Sequence, residues 1–223
     1  MMHQSNPGRN DTVGAIATAA LCAMAWPGFA LAPDRHVVAS TLVPDVIFAI
    51  DDAFEALPLL AFPIEDLTNA ERLIFVEADG SRRVGRAIVL QFERVQQGSD
   101  FRFVFPSTPP EELGRHQFRF GAFAYDDAEA ARRNPGREAG LTRAHFEKFG
   151  FSPPRYWRVA RLARVADSKG ESEIIVFYME NADTAYSKTG LVGADSDGDL
   201  ALEPAVASAL LGRLREHVAV VAD

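Results

Sequence analysis

The chain carries one cysteine, Cys22, in 223 residues. A single thiol builds no disulfide framework and no cysteine-based zinc site. Lysine is almost as scarce: only Lys148, Lys169 and Lys188 stand against twenty arginines. Nucleotide composition alone can produce such an arginine and alanine bias, so arginine clusters carry reduced weight. The net charge is -8, which argues against a general electrostatic grip on nucleic acid or an anionic membrane. No G-x-S-x-G elbow, G-x-x-x-x-G-K-[ST] loop or G-x-G-x-x-G turn occurs. The common routes to serine hydrolases, nucleotide hydrolases and dinucleotide enzymes are therefore closed, and no cofactor is implied. No segment repeats with a period of 20 to 50 residues, which excludes solenoids and propellers.

Histidine gives little chemistry either. His36, His116, His145 and His217 are scattered, and none has a second ligand at H-E-x-x-H spacing. The acid pairs Asp51-Asp52, Glu111-Glu112 and Asp126-Asp127 are adjacent. Adjacent side chains do not face each other, so these pairs give no evidence of the opposed carboxylates of a glycosidase.

What is present begins at the N-terminus. Residues 1–13 are polar, residues 14–26 (GAIATAALCAMAW) carry no charge, and Pro27-Gly28 precede small residues. This is the pattern of a secretory signal peptide, here residues 1–32, with cleavage after Ala30 or Ala32. The apolar stretch is shorter than the ~20 residues a membrane-spanning helix needs. The expected organisation is thus a leader followed by a single α+β domain at 33–223, without a transmembrane span in its mature form and located in the periplasm or outside the cell.

Periodicity fills in that domain. Val46, Ile47, Ile50, Phe54 and Leu57 recur at helical spacing between Pro44 and Pro58, although the β-branched start also allows a short strand. RLIFVEA (72–78) and RRVGRAIVLQFERV (82–95) flank Asp79-Gly80, a hairpin signal. FRFVF (101–105) and HQFRFGAFAY (116–125) extend this to a four-segment β-meander. Helices follow at 126–133 and at 141–151, the second capped by Thr142. A later hairpin joins 155–166 to 173–180. A long polar loop covers 181–203, and a helix runs from Pro204 to His217. The expected fold is α+β: one antiparallel sheet of about six strands, a meander plus the later hairpin, with helices covering mainly one face.

Two stretches are candidates for binding. In GADSDGDLALEP, Asp195, Asp197 and Asp199 alternate like calcium ligands. An EF-hand needs glycine at position 6 and glutamate at 12. Counting from Asp195 gives Leu200 and Val206, and counting from Gly193 gives Gly198 and Pro204, so neither register works. A polar turn explains the stretch better than a metal site. The second candidate is a sheet face. Alternation places Arg86 and Arg94 on one side of their strand and Arg158 and Arg164 on one side of another, near Tyr156 and Tyr178. Such a face would take an anionic or carboxylate-bearing ligand. The expected function is an exported, non-catalytic domain that binds a small ligand or a partner protein on the sheet face or at the loop. The alternatives are an exported hydrolase using His116 or His145 with loop carboxylates, and a cytosolic globular protein.

Overall fold

A computed structural model of the protein describes residues 29–31, 36–40, 46–104, 110–195 and 198–221. Residues 1–28 of the expected leader lie outside the described residues. Two antiparallel sheets carry the fold. The small one has the order β1 (Phe29–Leu31), β2 (Val37–Ser40), β3 (Ile47–Ile50), β13 (Val218–Val221). The large one has nine strands. Its path runs through β12 (Asp199–Ala201), β9 (His116–Asp126), β10 (Tyr156–Val165), β11 (Ser172–Asn181), β7 (Val84–Val95), β6 (Thr68–Ala78) and β4 (Glu55–Ala56). β5 (Leu60–Ile64) pairs with β6, and β8 (Glu111–Leu113) pairs with β9. The helices are α1 (Asp127–Arg133), α2 (Glu138–Lys148), α3 (Asp183–Tyr186) and α4 (Pro204–His217).

The α+β class holds, but the expected sheet of about six strands is too small. The helices also cover both faces rather than mainly one. On one face, Phe75, Ile88, Leu90 and Val176 pack against Leu210 and Leu214 of α4 and against Phe48 and Ile50 of the small sheet. On the other, Ile74, Val76, Val89, Trp157 and Val159 pack against Phe146 of α2. The reason lies in the central strands. Residues 87–93 of β7 are buried throughout, and a strand apolar on both faces needs cover on both.

Three local expectations change. The segment around Val46 and Ile47 takes the strand alternative: β3 pairs with β2 and β13, and its β-branched residues suit that role. The meander is broken. β7 pairs with β11 rather than with the segments that follow it in sequence, and β9 pairs with β10. Residues 101–104 form no strand. Phe103 instead donates its N–H to the Gly170 carbonyl at 2.9 Å, outside the sheet. Two long apolar strands, β7 and β11, gain more from burial beside each other than from pairing with nearer neighbours.

The second helix starts at Glu138, one turn before the Thr142 cap expected from the sequence, so Thr142 lies inside it and is buried. Gly150 follows its end at φ 78, as a glycine after a helix C-terminus should. The 79–83 turn matches its sequence signal: Asp79 Oδ1 accepts the N–H groups of Ser81 and Arg83 at 2.9 and 3.0 Å. α1 is capped as its acid-to-base order implies, with Asp126 Oδ1 accepting the Glu129 N–H at 3.0 Å.

Candidate functional site

A pocket of about 310 Å3 opens between α1–α2 and strands β7, β9, β10 and β11. Alternation puts Val89, Phe123, Val159, Phe177 and Met179 on this face of four neighbouring strands, and they form its wall. Ala130 of α1 and Ala139 of α2 line the helical side. Their small side chains leave the volume open. Gly198 and Asp199 reach the rim because β12 pairs with β9, with Asp199 opposite Tyr125.

Below the apolar wall lies a buried polar floor. Arg72 is the hub and is only 6% exposed. Its Nε donates to Gln91 Oε1, opposite it in the β6–β7 register. Its Nη1 donates to Thr142 Oγ1 and to the Glu138 carbonyl, and its Nη2 pairs with the Glu138 carboxylate. The guanidinium also sits over the Phe62 ring at 5.1 Å. Gln91 passes the network on by donating from its amide to Glu93, and Glu93 also accepts from the Thr68 hydroxyl at 3.0 Å. Glu93 stands directly opposite Glu173 on β11, and the Arg161 guanidinium is 3.4 Å from Glu173.

These surroundings disfavour charge. Burial, joined by the neighbouring Glu93, pushes the Glu173 carboxyl up to about 8. Burial also raises Glu93 and lowers Arg72. Tyr125 is pushed well up by burial and then by Asp127, whose carboxylate accepts its hydroxyl proton at 3.1 Å. Asp127 in turn pairs with Arg143 at 2.7 Å, which ties α1 to α2. Glu93, Asp127 and Glu173 stand behind the lining, and the pocket itself is an apolar wall with a few convergent polar groups, Arg72, Tyr125, Glu138 and Thr142 among them, which is the usual form of a binding site.

The arginines and tyrosines singled out from the sequence do share one face, as the register shows: Arg158, Glu180 and Arg86 lie in one row across β10, β11 and β7. It is the opposite face, filled by α4 and the small sheet, and none of the six lines this pocket. Arg86 pairs with Glu77 and donates to His217 Nε2 at 2.6 Å. Tyr178 is fully buried and donates to Glu180 at 2.9 Å, and burial pushes its hydroxyl up to about 12. Arg158 lies over the Tyr186 ring at 5.5 Å, and Tyr156 packs on the same ring. Arg164 donates to His116 Nδ1, and Arg94 sits near Glu71.

Of the histidines weighed for catalysis, His145 Nε2 donates to the Pro58 carbonyl at 2.8 Å, and burial lowers its pKa. Of the aspartate loop, Asp195, Gly198 and Asp199 are among the described residues. Asp195 Oδ1 accepts the Asp199 N–H at 3.0 Å, and the two residues close the loop through their backbones. Asp197 lies outside the described residues. Among the described residues, no three His, Cys, Asp or Glu side chains are grouped to hold a metal ion, and no helix is long and apolar enough to cross a membrane.

The sequence reading places none of Arg72, Gln91, Glu93, Thr142 and Glu138 in a site, and Thr142 reads only as a helix cap. A signal was present: Gln91 and Glu93 interrupt the apolar run of β7 at alternate positions, and so face one side. Comparison with protein-family models, curated proteins and solved structures finds no match to this chain.

Proposed function

We propose that this protein is an exported, non-catalytic binding domain for a small ligand with a largely apolar body, held in the pocket under α1 and α2. The observation that carries the reading is how the polar floor is used. The Arg72 guanidinium is taken up by Gln91, Thr142 and Glu138, and the Tyr125 hydroxyl is taken up by Asp127. These groups brace the pocket, so shape and apolar contact select the ligand. The volume suits a small molecule rather than a peptide.

Export rests on the leader pattern in residues 1–32. Cleavage after Ala30 would remove most of the edge strand β1 and leave β2, β3 and β13 paired. The hydrolase alternative gains nothing from the more buried of the two histidine–carboxylate pairs among the described residues, His36–Asp52 and His217–Asp51. His217 Nδ1 donates to Asp51 at 2.8 Å, which resembles an oriented general base. Its Nε2 already accepts from Arg86, and the ring stacks on Tyr178. Both nitrogens are spent on holding α4 to the sheet.

The test is a fluorescence titration with N-phenyl-1-naphthylamine, an uncharged apolar probe. Binding is expected in the native chain and is expected to be lost in Ala139→Phe, whose ring fills the pocket, with the melting temperature preserved. Equal binding by a well-folded Ala139→Phe would overturn the pocket assignment. Mass spectrometry of the protein from its host tests export; an intact N-terminus on most molecules rejects it.

A further inference from the structure

We propose that the ligand of the pocket under α1 and α2 is a single-chain amphiphile. Its body lies on the apolar wall, and its acceptor-bearing end, such as a carboxylate, lies in a second cavity beneath the α1–α2 corner. This inference rests on the pocket reading above and names the class of its ligand. The second cavity holds about 260 Å3. Pro63, Ile64 and Glu65 line it from β5 and the turn after it, and Asn134, Gly136 and Arg137 line it from the corner. Ala130, Glu138 and Ala139 line both cavities, so the two meet along the inner side of the helices. Alanine at 130 and at 139 puts only methyl groups at that meeting point. A narrow methylene chain suits such a passage.

The two cavities differ in chemistry. The first has the wall of Val89, Phe123, Val159, Phe177 and Met179. The second carries Glu65, Asn134, Arg137 and Glu138. Its carboxylates are already matched, Glu65 with Arg137 at 3.0 Å and Glu138 with Arg72. Donors remain. The Asn134 side-chain amide is one. Arg137 precedes α2 without a side-chain capping bond, which leaves the N–H groups of Glu138 and Ala139, in the first turn, without an intrahelical acceptor. An acceptor-bearing group of negative charge is favoured beside such a helix start. Asn134, Gly136 and Arg137 are exposed, so the polar end stays near water while the chain is buried, the arrangement an amphiphile needs.

The full chain, loaded with N-phenyl-1-naphthylamine, is titrated with sodium dodecanoate below its micelle concentration. Displacement of the probe is expected. Octanoate, with the same end and a shorter body, should bind about tenfold more weakly or worse. Dodecylammonium, with the same body and a donor end, should bind about tenfold more weakly as well. Ile64→Phe fills the second cavity. It is expected to bind the probe as the native chain does and dodecanoate about tenfold more weakly. Asn134→Trp, at an exposed position across the cavity, gives the same reading where Ile64→Phe melts low. A native chain that binds the probe, loses it in Ala139→Phe and yet ignores dodecanoate overturns the amphiphile and leaves the pocket standing. Dodecanoate affinity unchanged in well-folded variants, or equal to that of dodecylammonium, overturns the placement of the polar end. A native chain that binds neither compound removes the pocket reading and this inference with it.

Discussion

Arg72 joins β6, β7 and α2 through one guanidinium. Replacing it with methionine keeps much of the volume but strands the Gln91 carbonyl, the Thr142 hydroxyl and the Glu138 carboxylate. Glu138 is 42% exposed, so solvent screens the ionic part and the loss of buried hydrogen bonds dominates. Arg72→Met is expected to lose on the order of 3 kcal/mol of stability in a urea melt. Adding Gln91→Leu should return part of that loss, because an apolar residue there needs no donor. A single variant that melts like the native chain would show that the hub is not holding the floor. At this scale, half of the site was readable. The alternation of Gln91 and Glu93 marks a polar stripe, yet Arg72, which completes it, reads only as the first residue of a strand. Alternation also grouped Arg86, Arg158 and Tyr178 correctly on one face. It could not say that α4 would cover that face and leave the other to the pocket.

Among the elements, those with local signals came through best. The 79–83 turn, α1 and α4 all stand where Asp79-Gly80, Asp126 and Pro204 place them. The pairing of β7 with β11 did not, because contacts between strands some 80 residues apart leave no mark on either strand's own pattern. The small sheet was hidden for the same reason: β13 continues straight from the end of α4 and has meaning only beside β3. The α1–α2 corner shows a subtler constraint. A Cβ at Gly140 would lie 2.5 Å from the Pro135 carbonyl oxygen, so the turn through Asn134 and Pro135 can fold onto α2 only if residue 140 is glycine. Gly140→Ala should push that corner away from the helix and cost about 1–3 kcal/mol. It should also weaken binding of the apolar probe, because Ala130 and Ala139 sit on the two helices that the corner joins. A variant with native melting and native binding would show that the corner yields without moving the roof of the pocket.

For the molecule as a whole, the large sheet separates two kinds of ion chemistry. On the α4 face, charges are paired near its edge: Asp51 with His217, Glu77 with Arg86 and Glu180 with Arg213. On the pocket face, Glu93 and Glu173 oppose each other while 6% and 4% exposed. Arg161, which is 39% exposed, is a partial match for them. The consequence for stability has a definite sign. Glu173 has a folded pKa of about 8, above its ordinary value of 4.5. Between those values the folded chain holds a proton that the unfolded chain releases. Folding stability must then fall as pH rises across that window and level off above it. Raised values at Glu93 and Asp127 act in the same direction. Two kinds of group act in the opposite direction: acids held low by hydrogen bonds, such as Asp51 and Glu77, as pH drops through the carboxylate range, and His145, held by burial below its ordinary value of 6.5, as pH drops below that value. Above that value only the raised carboxyls act, so the melting temperature should decline from pH 6.5 to pH 8. Glu173→Gln, which keeps the neutral shape of the protonated acid, should flatten the decline and melt above the native chain at pH 8. A native melting temperature that stays level or rises from pH 6.5 to 8 would mean that the facing carboxylates find compensation on opening of the local structure, and that the buried pair places no strain on the fold.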